Sequence, residues 1–348
     1  MQPLHILTWH IHGSYLYYLT QSPHQFYLPV KPGKPEGYGG RLPNFPWGDN
    51  VQDVPADQAQ HMDFDCVLFQ SAKNYREDQH EILSEAQRQL PRLFLEHDPP
   101  REHPTDTRHV VDDPEVTVVH VTHFNNLMWD SGRSPTRVIE HAVTDPYDGS
   151  ELGYTGELAK GIVVANGLRT RGRRLGRDVF EQVRQQVPLD LVGMDAASLG
   201  GSGEIPHAQL PDCLSRYRFY FHPVRYTSLG LSVCEAMMAG LPVVGLATTE
   251  LVTVVENGVS GYVDTSVEQL VVRMKDLLDD AGLARRLGQG ARCQALKRFG
   301  LKRFADDWTA AFEAAVAQRS EGSIAQRSSQ PPLLGVPSPV GTPSSSPL

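Results

Sequence analysis

Tyr226–Gly245 reads YTSLGLSVCEAMMAGLPVVG, and this stretch decides the fold. It follows Arg218–His222 (RFYFH), an apolar run of strand length. Gly230 lets the chain turn tightly, and a helix from about Ser232 to Ala239 follows. The first N–H groups of such a helix have no partner inside it, so its start offers donors and a positive dipole end to an anion. Glu235 is expected within the first turn, near enough to the same place to bond a pair of hydroxyls. Gly240-Leu241-Pro242 ends the helix and opens the buried strand Leu241–Leu246 (LPVVGL). A strand, a helix and a strand in so short a span form one unit of a parallel sheet.

The alternation continues in both directions. Gly161–Ala165 (GIVVA) and Leu189–Gly193 read as strands, with helices at Asp178–Gln186 and from about Gln209. Val267, Leu270, Val271, Met274, Leu277 and Leu278 form one stripe of an amphipathic helix, and Phe304, Trp308 and Phe312 form another. In the first half, Leu4–Ile11, Cys66–Phe69, Arg92–Leu95 and Val116–Val121 are apolar runs, and Glu81–Leu90 (EILSEAQRQL) is helix-like. Tyr27 to about Gln60 is rich in Pro and Gly and reads as a long loop. Its Tyr38, Phe45 and Trp47 are placed either to stack on a sugar or to pin the loop. The pattern breaks near Thr144–Tyr154. We therefore expect an α/β chain of two doubly wound domains facing a cleft, residues 1–150 and 151–318, then a disordered Ser/Pro-rich tail at 319–348.

The chain has 348 residues, 32 Lys plus Arg, 41 Asp plus Glu and a net charge of -9. That total excludes bulk attraction to nucleic acid or anionic lipid. Cys66, Cys213, Cys234 and Cys293 are widely spaced, which fits reduced thiols of a cytoplasmic protein better than disulfides or a zinc site. MQPLHILTWHIHGSY lacks the basic and apolar regions of a signal peptide, and no run is long enough to span a membrane. Asp63-Phe64-Asp65 precedes its strand instead of following it, so a surface pair is expected there. His80-Glu81 lacks a second histidine for a metal, and Gly288-Gln289-Gly290 lacks a third glycine.

Tyr226–Gly245 resembles the GT-B retaining glycosyltransferases, specifically glycosyltransferase family 4 of the group 1 type. The family pattern is Glu-x-Phe-Gly-Leu-x-x-x-Glu-Ala-Met-Ala-x-Gly-x-Pro-Val-Val. Gly230, Leu231, Glu235, Ala236, Met237, Gly240, Pro242, Val243 and Val244 match it in register, and Glu256–Tyr262 (ENGVSGY) resembles a later family turn. The resemblance implies two Rossmann-like domains, acceptor side first and nucleotide-sugar side second. It implies transfer of a hexose from a UDP-, GDP- or ADP-sugar to a hydroxyl acceptor with retention, without metal or further cofactor. The implied partners are the donor and that acceptor, with no nucleic acid and no obligate protein partner; peripheral membrane contact stays open.

The resemblance also assigns residues. Glu235 holds the donor ribose, and the helix start at Leu231 and Ser232 receives the diphosphate. The family's first glutamate falls on Thr227, which offers a hydroxyl instead. In the loop Asn166–Arg177 (NGLRTRGRRLGR) the family has an Arg and a Lys for the leaving phosphate; here Leu175 takes the lysine's place, and Arg169, Arg171, Arg173 and Arg174 are the available cations. His97, in the strand-end sequence LEHDPP, corresponds to a histidine beside the reacting carbon. Gly13, after the first strand, corresponds to a glycine loop near the phosphates. Ile205, in Gly203–Pro206, corresponds to the segment contacting the base. Thr227 and the missing lysine leave a second reading open, a non-catalytic binder of sugar nucleotide or glycan.

Overall fold

Each short apolar run is buried on both faces and joined to the next by a crossover, so the runs pair in parallel. A computed structural model describes residues 2–148 and 153–328, with side chains as far as Arg319. The first sheet contains β1 (His5–Thr8), β2 (Gln25–Val30), β3 (Val51–Pro55), β4 (Cys66–Phe69), β5 (Arg92–Glu96), β6 (Val116–His120) and β7 (Thr136–Val138), in the order β3-β2-β1-β4-β5-β6-β7. The second contains β8 (Leu158–Val164), β9 (Leu189–Val192), β10 (Tyr217–His222), β11 (Val243–Leu246) and β12 (Gly261–Asp264), in the order β12-β11-β10-β8-β9. All neighbouring strands run parallel; Ile6, for example, is in register with Phe26 and Cys66. The strand order turns back once in each sheet, between β1 and β4 and between β8 and β10. Loops leaving the carboxyl ends of those strands diverge, which is where such sheets hold ligands.

Two expectations need correction. The stretch from Tyr27 to Gln60 is not one loop, because β2 and β3 lie within or across it. Phe26, Tyr27 and Leu28 are buried, and Pro29 lies beyond the part of β2 that pairs with β1. Edge strand β3 buries only Val51 and Val54, which made it invisible as an apolar run. Glu81–Leu90 is not one helix either. The helix Gln79–Ile82 stops at Leu83, and a single tight turn, Gln87–Gln89, restarts beyond it. Ser84 causes the restart: its backbone N–H donates to Gln87 Oε1 at 2.9 Å while its hydroxyl accepts from Gln87 N at 3.2 Å.

The helix Leu301–Ser328 crosses back onto the first sheet. Its Phe304, Trp308 and Phe312 are fully buried, Trp308 Nε1 donates to Tyr15 OH at 3.2 Å, and Phe312 packs edge-on against His24. The helix extends past Gln318, into the stretch expected to be disordered, while the remainder of that tail lies outside the described residues. Ion pairs add to this tie: Arg292 grips Asp145 at 2.8 and 2.9 Å, and Arg298 bridges Glu140 and Glu250. We expect Trp308→Ala to cost about 3–5 kcal/mol, read as a lower urea midpoint; an unchanged midpoint would show that the helix does not hold the first sheet.

Among the buried histidines are His120, His141 and His222. Burial lowers their proton affinity, to about 3 for His120 and about 4 for His141 and His222. Below the ordinary histidine value the unfolded chain therefore takes up protons that the native state refuses. Stability should be flat near neutrality and fall between about pH 6.5 and 4, by up to about 1.4 kcal/mol per pH unit for each histidine. Urea titrations at pH 7, 6 and 5 check this slope.

Candidate active site

At the β8–β10 crevice the helix Leu231–Met238 follows the loop that leaves β10. No side chain caps it, so its first N–H groups face the crevice unclaimed by a cap. Gly230 has an ordinary extended backbone (φ -67°, ψ 133°), so the turn does not demand glycine conformationally. What the glycine provides is space. A Cβ there would sit 3.3 Å from Ser232 Oγ. The Ser232 hydroxyl itself points inward and shares a 2.8 Å hydrogen bond with Tyr220, leaving its backbone as the part available to a ligand. Thr227 is half-buried in the same loop and its hydroxyl makes no hydrogen bond.

The helix starts at Leu231, so Glu235 stands in its second turn and not its first. Its carboxylate meets two groups that the sequence did not reveal. Tyr18 OH donates to Glu235 Oε1 at 3.1 Å, and His207 Nε2 lies 3.4 Å from the same oxygen. Tyr18 and His207 are also 2.9 Å apart. Tyr18 belongs to the helix Gly13–Leu19 of the first sheet, so this cluster spans the cleft and lines a small pocket with Thr144, Leu210 and Pro211. Burial and the adjacent Glu235 charge push the Tyr18 phenol well up, keeping it a donor. Ile205 is half-buried two residues before His207 and packs on the main core.

The arginine loop divides its members. Leu175 is buried in the second core, so the lysine's place is a packing position facing away from solvent. Arg173 donates to Asp178 at 2.6 Å, and Arg225 grips the same carboxylate with two nitrogens, at 2.6 and 2.9 Å. Arg225 holds the Asp178 carboxyl below the usual range. Arg173 is therefore already spent on a structural pair. Arg169 and Arg171 are exposed, and Arg174 is half-buried. The Arg174 carbonyl accepts from Arg225 N and Tyr226 N at 3.0 and 3.2 Å, which ties this loop to the one before Leu231.

Opposite, His97 immediately follows the last residue of β5, Glu96. Its ring lies 4.0 Å from that of His12 and edge-on to Tyr15 at 4.9 Å. Exclusion of water, then the neighbouring His12 and His141, hold its proton affinity well below the ordinary value, so the ring is neutral near pH 7. Gln70 spends its amide on Thr8 and Trp9, both at 2.8 Å, and turns its oxygen to His97 Nε2 at 3.3 Å. Nε2 must then carry the proton, leaving Nδ1 as an acceptor. Gly13 opens its helix beneath Phe45, whose ring would lie 2.9 Å from a Cβ at that position. Phe45 also stacks on Tyr17 and approaches His207, at 5.4 Å in each case. Tyr38 is buried under Lys31, and Trp47 Nε1 bonds Leu42 O at 2.7 Å, so these two pin the loop.

Asp65 takes the backbone N–H of His5 at 2.8 Å, which gives the Asp-x-Asp sequence a structural use. Among the described residues no cluster of three or more His, Cys, Asp or Glu is placed to hold a metal, and no helix is long and apolar enough to cross a membrane.

With this geometry in hand, the match to known proteins is informative. Residues 200–294 match the family model of glycosyl transferases group 1. They cover Gly203–Pro206, the helix Leu231–Met238 and Glu235. The architecture extends the likeness across both domains. Anabaena Alr3699/HepE, solved in complex with UDP, is 14% identical, with a TM-score of 0.64 over 90% of this chain and 100% of that one. Sucrose-phosphate synthase from Thermosynechococcus elongatus is 16% identical, with a TM-score of 0.61 over 91% and 100%. The fold is GT-B. TarM, 16% identical with a TM-score of 0.54, aligns over 71% of this chain, which spans about half (54%) of TarM's length. No curated protein matches by sequence.

Tyr18, His207, Gln70 and the Arg101 side chain beside Asp98 carried no sequence signal. Each takes its place only by tertiary packing, Tyr18 and His207 against Glu235, Gln70 against His97 and Arg101 against Asp98.

Proposed function

We propose that the protein is a retaining glycosyltransferase that moves a hexose from a nucleoside-diphosphate sugar to a hydroxyl acceptor without a metal ion. The observation carrying this reading is the convergence at the second sheet's switch point. There the uncapped helix start at Leu231 and Glu235 on the same helix follow β10, the loop carrying Arg171 and Arg174 follows β8 and is tied to Arg225 and Tyr226 through Arg174 O, and His97 follows a strand of the opposite sheet. In this reading Glu235 takes the ribose hydroxyls once the Tyr18 hydroxyl yields them. The segment around Ile205 lies along the base, and Gly13 and the helix start flank the diphosphate. The anomeric C–O bond breaks with its electron pair on the β-phosphate oxygen. The acceptor oxygen bonds to that carbon on the same face, and its proton passes to the departing phosphate. The charge that develops on the leaving group meets guanidinium groups and helix N–H donors already in place. Neutral His97, oriented by Gln70, accepts a hydrogen bond from a sugar hydroxyl at Nδ1.

The test is a panel of UDP-, GDP- and ADP-sugars with hydroxyl acceptors, followed by nucleotide release and the anomeric configuration of the product. Turnover with an axial donor giving an axial product is expected. A second reading rests on Thr227 and the buried Leu175: a binder of sugar nucleotide without catalysis. It predicts thermal shifts with the same panel and no released nucleotide.

A further inference from the structure

The arginine loop alone leaves the crevice short of charge. Leu175 is a core residue and Arg173 is committed to Asp178. Of the other arginines, Arg171, exposed like Arg169, is the one whose charge acts on half-buried Arg174. The opposite sheet supplies a third guanidinium. After His97, the chain continues through Asp98 and two buried prolines, Pro99 and Pro100, to Arg101. The prolines stiffen this stem. Its base is fixed twice, by Asp98 N donating to Glu96 at 2.9 Å and by Trp129 Nε1 donating to Asp98 O at 2.8 Å.

Arg101 projects from the stem with a side chain 55% exposed, paired with Asp98 through Nη2 alone. Its other nitrogens are uncommitted. Phe124, of the helix His123–Met128 that runs into Trp129, packs edge-on at 5.9 Å against Tyr226, whose N–H donates to Arg174 O at 3.2 Å, so the stem gripped by Trp129 and the arginine loop meet across that helix. Half-buried Arg174 accordingly feels the like charges of Arg101 and Arg171 and the opposite charge of Asp98. Three guanidiniums beside one carboxylate repel one another in the empty crevice, and a ligand carrying two negative charges relieves that repulsion.

We propose that Arg101, supplied by the first domain, is the third cation of the diphosphate site and takes the part of the lysine absent at Leu175. The proposal rests on the glycosyltransferase reading above. Asp98 holds one side of the fork, and the remaining donors face the phosphate, so the clamp closes on the leaving group from both domains. Arg101 is then a contact to the donor's diphosphate and not to its base.

The experiment titrates the purified full chain calorimetrically with UDP, GDP and ADP, and with uridine, guanosine and adenosine. For whichever diphosphate the native protein binds, Arg101→Ala should weaken binding about tenfold or more, with the matching nucleoside unchanged. Arg101→Lys should recover part of the loss. The exposure of Arg101 makes either variant safe for folding. Equal diphosphate affinity in native protein and Arg101→Ala overturns the role of Arg101 while leaving the transferase reading intact. A proportional loss of nucleoside affinity also overturns it, because the residue then acts through the fold. Native protein that binds none of the three diphosphates overturns the reading beneath it, and the proposal with it.

Discussion

Replacing Arg171 and Arg174 together by alanine is expected to lower nucleotide release by about a thousandfold or more, by far the largest single effect in the molecule. The reason is where charge develops. In the proposed reaction the diphosphate gains a negative charge as the anomeric bond breaks, and preplaced cations would stabilise that state more than the bound donor. Loss of one such donor typically costs about 100- to 1,000-fold in turnover. Because both residues act on the same phosphate, the double variant should fall short of the product of the single effects. Truncation after Arg319, by contrast, should change turnover less than about twofold, since the proposed site draws on no residue beyond it. Single-turnover assays with the donor identified by the panel separate loss of the chemical step from loss of binding. A double variant with native turnover would mean that these arginines serve solvation only.

The second large effect concerns Glu235. Glu235→Ala should weaken sugar-nucleotide binding by about 10- to 100-fold, in line with about 1.5–3 kcal/mol for hydrogen bonds to a charged group. The sign of a companion variant is less intuitive. In the empty protein Tyr18 OH already donates to the carboxylate at 3.1 Å, so a ribose has to displace or share that bond. Tyr18→Phe removes the competitor without changing the ring, and affinity should rise several-fold. If Glu235→Ala leaves affinity unchanged, the carboxylate serves the contact with Tyr18 and not a ligand. If Tyr18→Phe weakens binding instead, the phenol is itself a ligand contact.

Much of this arrangement was legible in the residues, and the reasons are local. The strand RFYFH, the helix from Leu231 and the strand ending at Leu246 are dictated by periodicity and by Gly240 and Pro242, so the turn before Leu231 and Glu235 could be named in advance. His97 was legible because it follows an apolar strand. What failed to show was whatever depends on a partner far away in sequence. Arg173 and Arg225 look like free cations until Asp178 is seen between them. Leu175 looks like a missing catalytic residue until its burial shows it to be a packing choice. Tyr18 hides inside YLYYL, and Arg101 hides behind two prolines that mark only a turn. β2 and β3 went unseen because Pro, Gly and an edge strand's polar residues masked their pairing. Gly230 was read correctly as a special position but for the wrong reason, since its backbone angles suit any residue and only its bulk matters.

The central claim is that a sugar nucleotide lies between the two domains with its diphosphate against the Leu231 helix start. Amide hydrogen exchange with and without UDP-, GDP- or ADP-glucose measures this directly. The account predicts slowed exchange together in residues 166–175, 226–235 and 97–101 with one of these donors. Protection confined to some other surface, or none with any of them, would contradict it.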